Sequence, residues 1–217
     1  MTYHGTVKPG GPAQVRELPA LVISKLALGP MDNNTYLLRC RRTGASLLVD
    51  APGPADGLLE LVAGEPPAMV VLTHGHPDHS AGLVALVQST AAAVLGHTGD
   101  AELLPVPLGR ALAHGDVVTL GDVELSVIHL RGHTPGSIVL AYDDPAGHAH
   151  LFTGDSLFPG GPGRTTNPDD FTALMVDLEA RVFDQYGDET WVYPGHGNDT
   201  TLGAERPHLD EWRARGW

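Results

Sequence analysis

One short segment of the chain holds three imidazoles and one carboxylate within six positions: His74, His76, Asp78 and His79. An apolar run over 68–73 precedes it, and its length suits a buried strand. Since alternate side chains of a strand point the same way, His74 and His76 could bind one ion. The glycine and proline inside the segment allow a sharp turn, which would swing the other two residues toward a second ion. Nitrogen and oxygen ligands without sulfur suit zinc, iron or manganese.

Three later segments repeat this design, with a potential ligand beside a glycine after an apolar run. They carry His133, Asp155 and His196. Taken alone, each of these is more often a turn residue, and the first segment has its own alternative, a solvated loop that happens to hold histidines. Loops at strand ends converge into sites, however. Together the four segments supply seven ligands, enough for two metal ions with room for water.

The elements that would position these residues are short strands alternating with turns. Strand patterns cover 21–26, 35–40, 46–50, 68–73, 91–95, 116–120, 123–130, 137–142, 150–152 and 190–193. Helical spacing marks 55–63, 80–89 and 171–183, the last with Asp169 or Asp170 as its N-cap. Two strand-rich halves, each closed by helix, predict two packed sheets with helices outside. We expect a flexible arm over 1–14 and a single domain over 15–217.

The acidic composition narrows the class of protein and its partners. A formal net charge of −13 repels phosphate backbones, so we expect a small-molecule partner and no nucleic acid. No apolar run reaches the roughly 18 residues of a membrane helix, and no secretory signal is visible. The single cysteine, Cys40, excludes an internal disulfide and a cysteine-based zinc cluster, and it fits a cytoplasmic protein. The oligomeric state is left open.

The motif His-x-His-x-Asp-His, with His, Asp and His following in order, resembles the metallo-β-lactamase superfamily and its glyoxalase-II-like hydrolases. The resemblance extends from about residue 20 to 205. It implies an α+β fold, a four-layer αβ/βα sandwich with the site at one edge of the sheets. It also implies a role for each candidate: a first ion on His74, His76 and His133, a second on Asp78, His79 and His196, and Asp155 between them. Asp50 matches an early aspartate of the family, which hydrogen-bonds beside the metal.

The same resemblance implies a hydrolase in which hydroxide held by two divalent ions attacks an acyl carbonyl, with Asp78 also relaying a proton. The expected substrate is a small thioester of the hydroxyacylglutathione-hydrolase type, and the expected metal is zinc, with iron or manganese as alternatives. Arg164 stands where a basic residue of glyoxalase-II-like proteins binds the carboxylates of the thiol carrier. A solvated loop arginine is the equal alternative there. An aromatic residue typical of the next position is absent, and the chain ends 21 residues after His196, as in short bacterial members.

Three other functions stay open at this point. A persulfide dioxygenase with one iron shares the fold and motif, and metal content with oxygen uptake would distinguish it. A lactonase uses similar ligands. A non-catalytic protein with a structural metal is disfavoured, because structural zinc sites are closed and four-coordinate. The remaining histidines are interpreted as surface or strand-end residues: His4, His97, His114, His129, His148, His150 and His208.

Overall fold

The first half of the chain forms a seven-stranded mixed sheet. A computed structural model describes residues 3–64 and 66–216. The strands follow one another in space as in sequence, and β1 to β4 are antiparallel whereas β4 to β7 are parallel. They are β1 (Gln14–Glu17), β2 (Leu21–Leu28), β3 (Asn33–Cys40), β4 (Ser46–Val49), β5 (Met69–Val71), β6 (Ala93–His97) and β7 (Arg110–Leu112).

The second half forms a six-stranded sheet and a small hairpin. The sheet contains β8 (Val117–Leu120), β9 (Val123–His129), β10 (Ile138–Asp143), β11 (Ala149–Gly154), β14 (Trp191–Pro194) and β15 (Thr200–Thr201). Its order is β15-β14-β11-β10-β9-β8, and β11 and β14 run parallel. The hairpin joins β12 (Leu157–Phe158) to β13 (Gly161–Pro162). It lies directly after the strand that carries Asp155 at its end.

Helices cover the outer face of each sheet. The helices are α1 (Ala55–Val62), α2 (Pro77–Ser80), α3 (Leu83–Thr90), α4 (Pro168–Leu178), α5 (Leu202–Glu205) and α6 (Leu209–Arg215). Short 3₁₀ segments cover Thr98–Leu103 and Arg206–His208, and a wider π-type turn covers Glu179–Phe183. Helices α1 and α3 pack on the first sheet, and α4 and α6 pack on the second. The four layers confirm the predicted αβ/βα sandwich.

The continuous apolar runs of the central strands have a direct structural cause. On β4, Leu47 and Val49 face the other sheet while Leu48 faces the helices. On β10, Leu140 faces the other sheet while Val139 packs under α4. Both faces of each strand are therefore buried, which removes the polar alternation of a half-exposed strand.

Two local predictions were wrong. The predicted helix 80–89 is two helices, α2 and α3, because Gly82 lies against backbone: a Cβ there would stand 2.6 Å from the carbonyl oxygen of Pro52. The N-cap of α4 is Asn167, whose side chain accepts from the Asp170 amide at 2.9 Å, and neither Asp169 nor Asp170. Pro168 takes the first helical position, where its missing N–H costs nothing.

The predicted arm is in contact with the sheets, and one predicted surface histidine is buried. The Tyr3 hydroxyl donates to Asp199 at 2.6 Å and Val7 is buried, so this segment packs on the sheets over its described residues. Its mobility in solution stays a prediction. His150 is 1% exposed, between the sheets, because β11 turns it inward toward the Tyr193 hydroxyl. None of the helices within the described ranges is long and apolar enough to cross a bilayer.

Candidate metal centre

The candidate ligands lie at the ends of strands on one edge of the sandwich. Asp155 directly follows β11, and His196 follows β14 by two positions. Because β11 and β14 are parallel neighbours, with Gly154 opposite Pro194, their ends meet. His74 follows β5 in the other sheet, and the amide of Ile138 donates to the Thr73 carbonyl at 2.8 Å, which joins the two sheets here. The fold therefore brings four separate loops to one place.

A first group of ligand atoms comes from His74, His76, His133 and Asp155, all within 4.8 Å of one another. The His133 Nε2 atom lies 3.0 Å from His76 Nδ1 and 3.6 Å from Asp155 Oδ2. The His74 Nε2 atom lies 4.0 Å from the same carboxylate oxygen. These are the residues predicted to share the first ion.

A second group comes from Asp78, His79 and His196. The two Nε2 atoms of His79 and His196 are 3.1 Å apart, and each lies within 3.6 Å of Asp78 Oδ2. Asp155 reaches this group as well, at 3.3 Å from each of the two imidazoles. The structure thus places Asp155 between the groups, where a bridging ligand would lie; that role stays a prediction.

Hydrogen bonds outside the groups turn the imidazole lone pairs inward. The Nδ1 atoms of His133 and His196 contact the carbonyl oxygens of Arg164 and Met31 at 2.7 and 2.8 Å. A carbonyl oxygen only accepts, so each Nδ1 carries the proton and each Nε2 presents a lone pair. In each group, two imidazole nitrogens from different loops thus lie only 3.0–3.1 Å apart.

Asp50 fixes the orientation of two more imidazoles in the same way, from outside the ligand groups. Its Oδ2 atom lies 3.0 Å from His79 Nδ1 and accepts from the Thr73 hydroxyl at 2.8 Å. Because the hydroxyl proton is used there, the Thr73 oxygen accepts from His74 Nδ1 at 3.1 Å. Both Nε2 atoms therefore face the centre. These contacts are typical of the groups that orient metal-binding histidines, and the role of Asp50 beside the metal stays a prediction.

The donor set fits a pair of divalent cations. The His74 Nε2 atom is buried and has no hydrogen-bond partner among the described residues, and neither has Asp155 Oδ1, although His79 Nε2 lies 3.3 Å from it. Buried polar atoms are normally paired, so these atoms indicate a missing partner of positive charge. Imidazole and carboxylate ligands without sulfur suit zinc, iron or manganese.

The electrostatics of the centre agree with that fit. Burial lowers the pKa of His74 well below its usual value, and the neighbouring His79 lowers it further. Burial also acts to lower the pKa of His79, but the carboxylates of Asp155 and Asp50 outweigh it and raise the pKa to about 10. Burial acts to raise the pKa of Asp155, yet the imidazoles of His196 and His79 hold it well below the usual value. The centre attracts positive charge and keeps Asp155 ionised.

A match to a family model decides the relationship of this chain. The model described as the metallo-beta-lactamase superfamily matches residues 28–202. The chain belongs to the metallo-beta-lactamase superfamily. Its candidate site therefore occupies the matched region, and residues 74–79 carry the histidine-rich segment from which the prediction started.

Known proteins resemble the chain in sequence and in structure. A hydroxyacylglutathione hydrolase of Anaeromyxobacter dehalogenans is 38% identical over 167 residues, which cover 76% of this chain and 61% of that protein. The chain thus spans about three fifths of the length of this relative. The crystal structure of the BLEG-1 B3 metallo-beta-lactamase superposes with a TM-score of 0.77 at 27% identity, covering 86% of this chain and 97% of the other. TTHA1623, crystallised in a di-iron-bound form, gives 0.70 at 33% identity, covering 84% and 96%.

Two residues beside the candidate ligands were not found from the sequence. Asn33 donates its amide to Asp78 Oδ2 at 2.8 Å, and Asp100 accepts from the backbone amide of Gly75 at 2.8 Å. Asn33 lies in an ordinary turn sequence, and Asp100 follows a glycine after a strand, a common pattern. Neither carried a signal that distinguishes it from other polar loop residues.

Arg164 lies at the edge of the centre. Its carbonyl oxygen binds His133, but its side chain is exposed, and among the described residues no hydrogen bond or ion pair involves the guanidinium group. A contact with an anionic ligand would therefore not require an existing ion pair to break.

Proposed function

We propose that this chain is a binuclear metallo-hydrolase that cleaves a small thioester of the hydroxyacylglutathione type. The observation that carries the proposal is a pair of ligand groups that share Asp155, with imidazole lone pairs turned inward on both sides. A relative named hydroxyacylglutathione hydrolase, 38% identical, supports the substrate class. We propose zinc as the metal.

Two bound divalent ions supply Lewis acidity, which polarises an acyl carbonyl and lowers the pKa of water from about 15.7 to about 7. The residues of the chain would hold them in two sets: His74, His76 and His133, and Asp78, His79 and His196. Asp155 would serve both sets. Its low pKa keeps this carboxylate anionic over the working range of pH.

Asp78 is the residue that we propose handles the proton. Its side chain is 26% exposed, so substrate and solvent reach it. The amide of Asn33 occupies Oδ2, and within the described structure no hydrogen bond ends on Oδ1. The Oδ1 atom can therefore accept a proton from the attacking water and pass it to the leaving thiolate. Asn33 would hold the carboxylate in that orientation.

Arg164 is proposed to bind a carboxylate of the thiol carrier. A guanidinium group binds a carboxylate through two parallel hydrogen bonds. Replacing Arg164 with alanine should raise KM about 10-fold or more for a thioester with a carboxylated thiol, since a hydrogen bond to a charged group contributes about 1.5–3 kcal/mol. A thioester without carboxylates should be unaffected. The matched control is Arg110→Ala, which removes an exposed arginine on β7.

The first experiment measures metal content per chain together with hydrolysis of a hydroxyacyl glutathione thioester, before and after chelation. Two zinc ions and cleavage that a chelator abolishes would support the proposal. One iron, oxygen uptake with a persulfide and no thioester cleavage would refute it in favour of a dioxygenase. Cleavage of lactones alone would replace the substrate class and keep the binuclear chemistry.

The proposal includes a small-molecule substrate, no nucleic acid partner and a cytoplasmic location. The acidic net charge of −13 and the single buried cysteine, Cys40, support these assignments. Fractionation of cells and a nucleic-acid binding assay would test them.

A further inference from the structure

Asp100 lies outside both ligand groups, in the turn Thr98–Leu103 that follows β6, and is 3% exposed. Its Oδ2 atom accepts from the Gly75 amide at 2.8 Å and from the Thr134 hydroxyl at 2.6 Å. Its Oδ1 atom accepts from the Gly136 amide at 2.8 Å. A buried carboxylate needs such donors, because burial without them is costly.

These three donors belong to the two loops that carry the histidines of the first group. Gly75 lies between His74 and His76, and the other two donors lie one and three residues after His133. One carboxylate therefore joins both loops. Within the described residues, Asp100 forms no hydrogen bond to Asp78, His79 or His196.

The packing leaves no room for another side chain between the turn of Asp100 and either loop. A Cβ on Gly75 would stand 2.7 Å from the Cβ of Leu103 and 3.0 Å from the Cβ of Asp100. A Cβ on Gly136 would stand 2.6 Å from the Asp100 amide nitrogen and 2.7 Å from its Cγ. The glycines allow this close approach, so the position of Asp100 sets the separation of the loops.

We infer that Asp100 is a positioning residue that sets the spacing of His74, His76 and His133, and thereby the affinity of the first metal ion but not of the second. The inference rests on the metal centre of the proposed function and not on its substrate. An asparagine cannot replace the aspartate here. Whichever way its amide is turned, the NH₂ group faces at least one N–H or O–H that now donates to a carboxylate oxygen.

The test measures Zn²⁺ affinity by competition with a chromophoric chelator in proteins that keep one site. His196→Ala removes a ligand of the second group, and His76→Ala removes a ligand of the first. In the His196→Ala protein, Asp100→Asn should weaken Zn²⁺ binding about 10- to 100-fold, as expected for groups that orient ligands. In the His76→Ala protein the same change should leave the affinity within about threefold. The control is Asp144→Asn, which replaces a buried aspartate in a distant turn and should change the Zn²⁺ affinity of neither protein.

A second variant distinguishes a loss of ligand positioning from misfolding. Thr134→Val removes one donor to Asp100 without changing the size of the side chain, and should give a smaller loss of affinity in the His196→Ala protein alone. Equal losses in both one-site proteins, accompanied by a lower Tm of the metal-free protein, would show a merely structural role and overturn the inference. No loss of Zn²⁺ affinity in either one-site protein would also overturn the inference. Selective loss in a protein that cleaves no thioester would uphold the inference and refute the proposed substrate.

Discussion

Replacing Asp50 with asparagine tests whether the tautomers of the ligand histidines are set from outside the ligand groups. The Asp50 carboxylate accepts from the Thr73 amide at 2.7 Å and hydroxyl at 2.8 Å, and lies 3.0 Å from His79 Nδ1. Its backbone has φ of +57°, a region that asparagine also adopts readily. The substitution therefore changes the hydrogen bonding without straining the backbone.

The magnitude follows from the two ways in which the new amide can turn. With its oxygen on the Thr73 amide, its NH₂ group donates to His79 Nδ1, which moves the imidazole proton to Nε2, the atom that faces Asp78 and His196. With the amide reversed, the NH₂ group opposes the Thr73 N–H. Either arrangement should weaken the second ion about 10- to 100-fold, which is about 1.4–2.8 kcal/mol of binding free energy.

The assay is the Zn²⁺ competition titration in the His76→Ala protein, which keeps the second group of ligands. Asp144→Asn again provides the control for loss of a buried carboxylate. An unchanged affinity in Asp50→Asn would refute the reasoning, because it would mean that His79 presents its Nε2 lone pair without help from the carboxylate. A fall in the Tm of the metal-free protein with no fall in affinity would have the same meaning.

Three further predictions concern other parts of the molecule. Asp155→Asn should lose both ions, since its carboxylate oxygens lie within 4.0 Å of imidazoles of both groups; metal content per chain measures this. Burial, with Arg16 and His148 nearby, lowers the pKa of His150 to about 3, below the value of about 6.5 in the unfolded chain. Only the unfolded chain takes up this proton as pH falls from 7 to 5. The free energy of unfolding should therefore fall by about 2 kcal/mol through this residue over that range. His150→Gln should remove this loss, as measured by urea titrations at both pH values. Lys25→Met should cost about 3–5 kcal/mol in the same titrations, because it leaves the buried Asp199 carboxylate without the ammonium group 2.6 Å away.

Each of these predictions has an outcome that would contradict it. Retention of one tightly bound ion in Asp155→Asn would show that the carboxylate serves one group only. Equal pH dependence in His150→Gln and the wild type would mean that the imidazole takes up its proton at the same pH in the folded protein as in the unfolded chain. Full stability of Lys25→Met would show that the hydroxyl of Tyr3 and the indole of Trp191, which also bind Asp199, are sufficient partners.

Much of the fold could be predicted because its signals are local. Central strands such as β4 and β10 are buried on both faces and therefore read as short apolar runs. Two of the differences arose where a distant contact decided the outcome. The backbone at Ala51 and Pro52 breaks the predicted helix at Gly82, and no residue near Gly82 indicates this. Inward burial of His150 likewise depends on the facing sheet.

The sequence by itself determined the types of candidate ligand and their approximate grouping. The histidines at 74 and 76 alternate along an extended chain, and the turn after them carries Asp78 and His79 to the other side, so the spacing already implies two ions. The order of the later candidate ligands, His133, Asp155 and His196, indicates the family that the chain resembles. All of this depends on neighbours along the chain, which a linear pattern records.

Only the tertiary structure decided which nitrogen faces the centre in four of the imidazoles and how far apart the loops lie. Two of the partners that set the tautomers are carbonyl oxygens, of Met31 and Arg164, and every residue type has a carbonyl oxygen. The donors to Asp100 lie 25, 34 and 36 residues away, two of them backbone amides. A backbone group carries no signature in the sequence, so its role becomes visible only once the chain is folded around it.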